Sequence, residues 1–317
     1  MNLGLSAVYA RAQKFSRLSA IVAILAFIAL KVLGIQLSIS VQLVIALGAL
    51  LLGVPHGAVD HLISISSKSK VRFVLFIVIY VAIAVAAGFG IATWNIWGFR
   101  LVLIMSALHF GYGDAAFAGE WRIARGVSKE PFILENLYAI PAGALPIVLP
   151  LTDSRSTSAL NRIHGSLSGW AGSMQNAWQI TTLVVALIAI TVLLLVKNYE
   201  PAIDLTLLLL LSLIAPALIT FAIYFGCWHA VRHTARLVPK LPRAHALATS
   251  GESTKAIWAA IVPGLYAVAG TVVVGLGLML ALPGRFGSGM LWSTLVVVWS
   301  LTVPHMIATA RFDLKAL

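Results

Sequence analysis

The sequence predicts an all-α fold, a polytopic bundle of about eight transmembrane helices that gathers histidines at one depth. Three observations lead there. Only 10% of the 317 residues are Asp, Glu, Lys or Arg, against roughly a quarter in soluble globular domains. Several apolar runs reach about 18 residues or more, enough for a helix to cross ~30 Å of hydrocarbon. The alternating segments of about ten residues that mark a membrane β-barrel do not occur.

Charge and processing signals agree with that class. The net charge of +12 does not point to nucleic acid, because the basic residues sit in short clusters between apolar runs, as the positive-inside rule places them. The single Cys227 excludes an internal disulfide. The first apolar run is followed by no small-residue cleavage pattern, so no cleavable signal is expected. No internal repeat or low-complexity segment divides the chain, so residues 1–317 are expected to form a single integral-membrane domain.

The expected spans, in order, are 18–35, 39–63, 71–93, 100–118, 177–197, 203–233, 256–282 and 290–310. The run at 203–233 is long and contains Pro216, which predicts a kink or an extension past the membrane surface. The stretch 132–150 carries Pro141, Pro146, Pro150 and Gly143 and reads as a poor continuous helix. Basic-residue counting decides how to treat it. If it does not cross, 18 of the 22 Lys and Arg fall on one side, leaving Lys31, Arg100, Lys197 and Arg285 opposite. If it crosses, the split becomes even. The rule therefore predicts a re-entrant or interfacial segment near 132–150, eight crossings and both termini cytoplasmic, in the cell (inner) membrane.

Four stretches place ionisable residues in or at the ends of apolar spans: Pro55-His56-Gly57-Ala58-Val59-Asp60-His61, His109-Phe110-Gly111-Tyr112-Gly113-Asp114, Trp228-His229-Ala230-Val231-Arg232-His233, and Pro304-His305. Such residues cost a few kcal/mol at least in hydrocarbon and mark function by default. With eight crossings all four host helices run the same way, so their histidines reach one leaflet. His229 and His233, four apart, project from one helix face and can grip one ion. His56 and Asp60 share that spacing, which predicts a carboxylate orienting an imidazole. Pro55, Gly57, Gly111 and Gly113 predict close helix approach or an unwound turn. Asp114 reads as a hydrogen-bond acceptor for the site or as a helix-end charge. His164 and His245, in polar loops, read as ordinary surface residues, and His61 is turned away from His56 by its five-residue step. Tyr112, Tyr224 and Trp228 read as packing.

Neutral imidazoles suit iron, copper, zinc or nickel. A site among apolar helices suits a lipid-soluble substrate with C–C and C=C bonds, whose attack calls for O2 and a redox metal. Residue chemistry alone thus leads to a membrane metallo-oxygenase. Two other classes compete: a di-iron desaturase or hydroxylase, which needs more clustered histidines than this chain has, and a His/Asp proton relay or transporter, which would spread those groups across the membrane depth.

The motifs GVPHGAVDH (53–61), HFGYGD (109–114), FGCWHAVRH (225–233) and PHMIATARFD (304–313) resemble, in order, those of the bacteriorhodopsin-related (Brp/Blh) family of β-carotene 15,15′-dioxygenases. The resemblance implies a multi-span enzyme that cuts β-carotene at its central double bond with O2 to give two retinal molecules. It implies Fe(2+) as cofactor, with His56, His109, His229 and His233 as its ligands, and supporting roles for Asp60, His305 and Asp114. It also implies a functional link to a retinal-binding rhodopsin. No substrate-lining residue is identified by the sequence.

Overall fold

A computed structural model describes residues 3–60, 62, 69–283 and 290–316. Among these the chain is helical with no strand, a polytopic bundle as expected. Among the described residues eight helical segments are long and apolar enough to cross a membrane. In hydrocarbon no water satisfies free N–H and C=O groups, so apolar runs close their hydrogen bonds internally as helices.

The long elements are α1 (Leu3–Val32), α2 (Ile39–Gly57), α3 (Lys70–Thr93), α4 (Asn95–Ala124) and α5 (Phe132–Leu151). A short α6 (Arg155–Ile163) precedes α7 (Gln175–Leu195) and α8 (Tyr199–Ile214). Then come α9 (Ala217–Ala222), a π-helical stretch (Ile223–His229) and α10 (Ala230–Leu237). The chain finishes with α11 (Pro242–Thr249), α12 (Ser253–Ile261), α13 (Leu265–Ala281) and α14 (Met290–Ala316). Side-chain oxygens of Ser38 and Ser69 accept from the first free backbone N–H groups of α2 and α3, the usual repair of a helix start. On α3 only Ala84 and Ile91 are buried. Most of its other valines, isoleucines and phenylalanines are exposed, as suits a helix in contact with lipid.

Polar contacts fix which end of the bundle each helix reaches. Tyr9 of α1 and Arg236 of α10 both donate to Glu120 of α4, at 3.1 Å each, and Arg236 reaches Asp313 of α14 at 2.5 Å. The start of α1 and the end of α14 therefore lie together, at the end that also carries Arg11, Arg122, Lys240 and Lys255. We call it the basic end. At the far end, Arg100 donates to the Trp170 carbonyl at 2.6 Å and Gln175 to the Thr152 carbonyl at 2.7 Å.

Two segments differ from the sequence expectation. Residues 132–151 form one continuous helix, antiparallel to α4, that runs from the basic end to the far end. Tyr112 donates to Asn136 at 2.6 Å near its start. Further along, Gly111 faces Ala139, and Gly143 faces Ala107, so tightly that no Cβ fits at either glycine. Small residues let two backbones approach in this way. The three prolines are all buried, and packing against α4, α7 and α8 offsets their local cost. The second difference is at 203–233, which is a helical reversal and not one kinked span. Ala215 and Pro216 are both extended, with ψ of 150° and 154°. Beyond them Thr220 folds back to the Leu211 carbonyl at 3.3 Å. Proline has no N–H to continue the helix and disfavours helical geometry in the residue before it.

The two differences compensate. Each adds one pass through the bundle, so every helix after Pro216 keeps its expected direction. Arg155 and Arg162 move to the far end and Lys197 joins the basic end, which remains the basic one. Lys68 and Arg285 of the charge count lie outside the described residues.

Candidate metal centre

The helices α2, α4, α10 and α14 all run from the far end towards the basic end, and the π-helical stretch leads into α10 in the same direction. They deliver His56, His109, His229, His233 and His305 to one buried cluster. His56 has ring centroids at 5.5 Å to His229, 5.1 Å to His233 and 5.3 Å to His305. His109 lies 5.1 Å from His229 and 5.0 Å from His305. His229 and His233 stack at 5.9 Å with planes 22° apart, as the four-residue spacing predicts. Ligand nitrogens of His56, His109 and His305 all lie within 4.8 Å of one another.

Neighbours fix the tautomers. His56 Nδ1 donates to the Gly53 carbonyl; a carbonyl only accepts, so Nε2 keeps its lone pair. His305 Nδ1 lies 2.9 Å from both oxygens of Asp60 and donates to that carboxylate. The Thr309 hydroxyl donates to the His305 carbonyl at 2.9 Å and so presents a lone pair to His109 Nδ1–H at 3.4 Å. Nε2 of His109, His229, His233 and His305 is buried with no hydrogen-bond partner, as is Nδ1 of His229 and His233. Buried polar atoms are nearly always paired. Gathered nitrogen atoms without partners are what a first-row metal ion would satisfy, and an all-imidazole donor set suits iron, copper, zinc or nickel.

Glycines make the room. A Cβ on Gly57 would stand 3.2 Å from the His305 ring, and one on Gly113 would stand 3.0 Å from His229. The glycines beside the histidines therefore clear space for imidazoles, and neither residue belongs to an unwound turn. The π-helical stretch, a form common at functional sites, carries Tyr224, Trp228 and His229.

Of the neighbouring imidazoles, Asp60 holds that of His305 and not that of His56, because α2 ends at Gly57 and the four-residue helical spacing no longer applies at residue 60. Tyr80 also donates to Asp60, at 3.1 Å. Asp114 accepts from Tyr224 at 3.1 Å and Trp228 at 2.9 Å. Its other oxygen is 4.0 Å from His229 Nδ1. It thus ties α4 to the π-helical stretch, and Tyr224 and Trp228 do more than pack. Sequence reasoning missed Thr309 and Asp313, whose carboxylate is 3.8 Å from His109 Nδ1. The signal was present: His305, Thr309 and Asp313 repeat every four residues, one face of α14.

His164 lies at the far end, its ring 4.6 Å from that of Trp292 and tilted by 38°, and burial lowers its pKa. His245 sits on α11 at the basic end. Neither joins the cluster, and His61 lies outside the described residues.

One apolar cavity adjoins the cluster and a second lies beyond it. The first, about 260 Å³, has His56, His109, His305 and Asp60 on its inner wall and Phe76, Ile77, Thr271 and Leu301 towards the lipid flank, between α3, α13 and α14. The other, about 120 Å³, is lined by Leu50, Leu103, Ile147, Phe221 and Trp299 nearer the far end. Phe225 on the first wall and Phe221 on the second stack at 5.4 Å between them.

Residues 47–313 match the sequence profile of a family described as Beta-carotene 15,15'-dioxygenase. A protein of that name from Uncultured marine bacterium 66A03 is 29% identical over 194 residues, 57% of this chain. The chain spans 64% of the length of that relative. No solved structure matches.

Proposed function

The chain belongs to the Beta-carotene 15,15'-dioxygenase family, and from that membership and the histidine cluster we propose that it cleaves β-carotene at the central 15,15′ double bond with O2. One C=C bond breaks and two C=O bonds form. Both oxygen atoms come from O2, so two retinals result with no outside reductant. The observation that carries the reading is the set of buried, unpartnered imidazole nitrogens at the wall of an apolar cavity. Four imidazoles of the buried cluster, His56, His109, His229 and His233, hold Fe(2+) in this reading. The ion, when bound, supplies the redox chemistry that lets O2 react with a polyene.

The chain's own residues do the positioning. The polyene enters from the bilayer between α3, α13 and α14, along Ile77, Thr271 and Leu301. Phe110 and Phe225 bound the slot beside the histidines. How far the substrate slides before it stops decides which double bond lies beside the ion. Thr309, the Gly53 carbonyl and Asp60 keep imidazole tautomers fixed, so that each presents a lone pair inward. The basic end faces the cytoplasm, the cell (inner) membrane holds the bundle, and a retinal-binding rhodopsin is the expected consumer of product. The test is expression in β-carotene-accumulating cells, with extraction of retinoids. Retinal is expected from the wild type and not from His109→Ala; the absence of retinal in both, with the wild type folded and iron-loaded, would refute the assignment.

A further inference from the structure

We propose that His305 is a fifth metal ligand, aimed by Asp60, and not only a supporting residue; the inference rests on the metal reading above. Among the described residues, His56, His109 and His305 each offer a ligand nitrogen within 4.8 Å of the other two. His305 is also the best-oriented imidazole of the five. Its Nδ1 donates to Asp60 at 2.9 Å, Asp60 in turn accepts from Tyr80 at 3.1 Å, and Nε2 is left buried without a partner. A carboxylate behind an imidazole is the usual arrangement behind a metal-bound histidine, where it fixes the ring and raises its basicity. Gly57 lies flat against the ring, and a Cβ there would press on Nδ1 at 3.2 Å. The ring is thus fixed from two sides.

The competing role is a plain ion pair, imidazolium with Asp60 carboxylate. That role requires a proton on Nε2 as well. The proton would be a buried donor with nothing to accept it, which is costly. It would also set a cation against four imidazoles gathered around a divalent ion. A neutral His305 with Nε2 facing the ion removes both problems. His56, His109 and His305 line the apolar cavity, so an ion they held would border the space open to the substrate.

The test uses the purified full-length chain in detergent with Co(II) as probe, read by its visible absorption and by titration, without reference to turnover. The wild type is expected to bind one Co(II). His305→Ala should weaken binding by at least the ~10- to 100-fold typical of losing a residue that only orients a ligand, and should change the visible bands. Asp60→Asn should shift the bands in the same direction by less. If His305→Ala shows no cooperative thermal transition, His305→Gln, which keeps most of the volume, takes its place. Wild-type affinity with an unchanged spectrum in the folded His305 variant overturns the fifth-ligand assignment alone. Failure of the folded wild type to take up Co(II) overturns the metal reading together with it.

Discussion

The α-carbon of Gly113 lies against the His229 imidazole, close enough that a Cβ would stand 3.0 Å from Cε1. Gly113→Ala should therefore push His229 out of the cluster while leaving the helix intact, since alanine is the better helix former. The expected outcome is a protein with near-normal thermal stability and iron content reduced by about ten-fold or more, the scale of losses from disturbed ligand support. Metal analysis beside a melting curve checks it; normal iron in a folded Gly113→Ala protein would contradict it.

His56→Ala, His109→Ala, His229→Ala and His233→Ala should each bring retinal production to background, because each removes an imidazole from a buried centre with no spare donor of the same reach. His164→Ala and His245→Ala should keep wild-type turnover. Retinoid extraction from carotene-accumulating cells reads all six. Full activity in either His229→Ala or His233→Ala would remove that residue from the ligand set.

The passes added by α5 and by the reversal at Pro216 change where loops emerge. A reporter fused after Leu151 should read on the opposite side of the membrane from one fused after Leu241. Fusions after Leu33 and Leu151 should agree with each other. Identical readings after Leu151 and Leu241 would restore the non-crossing view of 132–150.

Arg232 is buried with its guanidinium 2.9 Å from Asp204, 3.0 Å from Ser16 and 3.8 Å from the Trp228 ring centroid. Asp204 also receives Arg17 at 2.7 Å. Asp204→Ala strips this group of its counter-charge, and breaking a buried pair in that way costs roughly 3–5 kcal/mol. A large fall in the detergent midpoint of thermal unfolding is expected. Asp204→Asn, which keeps an acceptor, should lose less.

Leu301→Trp, on the lipid-side wall of the larger cavity, should narrow the entrance without touching a histidine. Turnover of β-carotene should drop several-fold or more while iron content stays at the wild-type level. A shorter polyene should be less affected. Equal turnover of β-carotene by the variant and the wild type would move the entrance elsewhere.

The sequence by itself determined the class, most of the helices and the members of the cluster. Those are local properties: an apolar run long enough to cross hydrocarbon becomes a helix wherever it lies, and a histidine inside such a run is costly enough to mark a site. The direction of the four histidine-bearing helices was legible too, through charge, although two errors had to cancel for that to hold. Only the tertiary structure decided that 132–151 is a through-going helix, because the close packing of Gly111 and Gly143 that offsets three prolines is a property of two helices and not of one. Only it showed the reversal at Ala215–Pro216, since an uninterrupted apolar run looks the same whether the chain kinks or turns back. It alone paired Asp60 with His305, residues 245 positions apart, in place of the nearby His56. Spacing along one helix fixes which side chains share a face. Which imidazole a carboxylate meets across the bundle depends on where its own helix stops and how the opposing helix is rotated, and packing of the whole chain sets both.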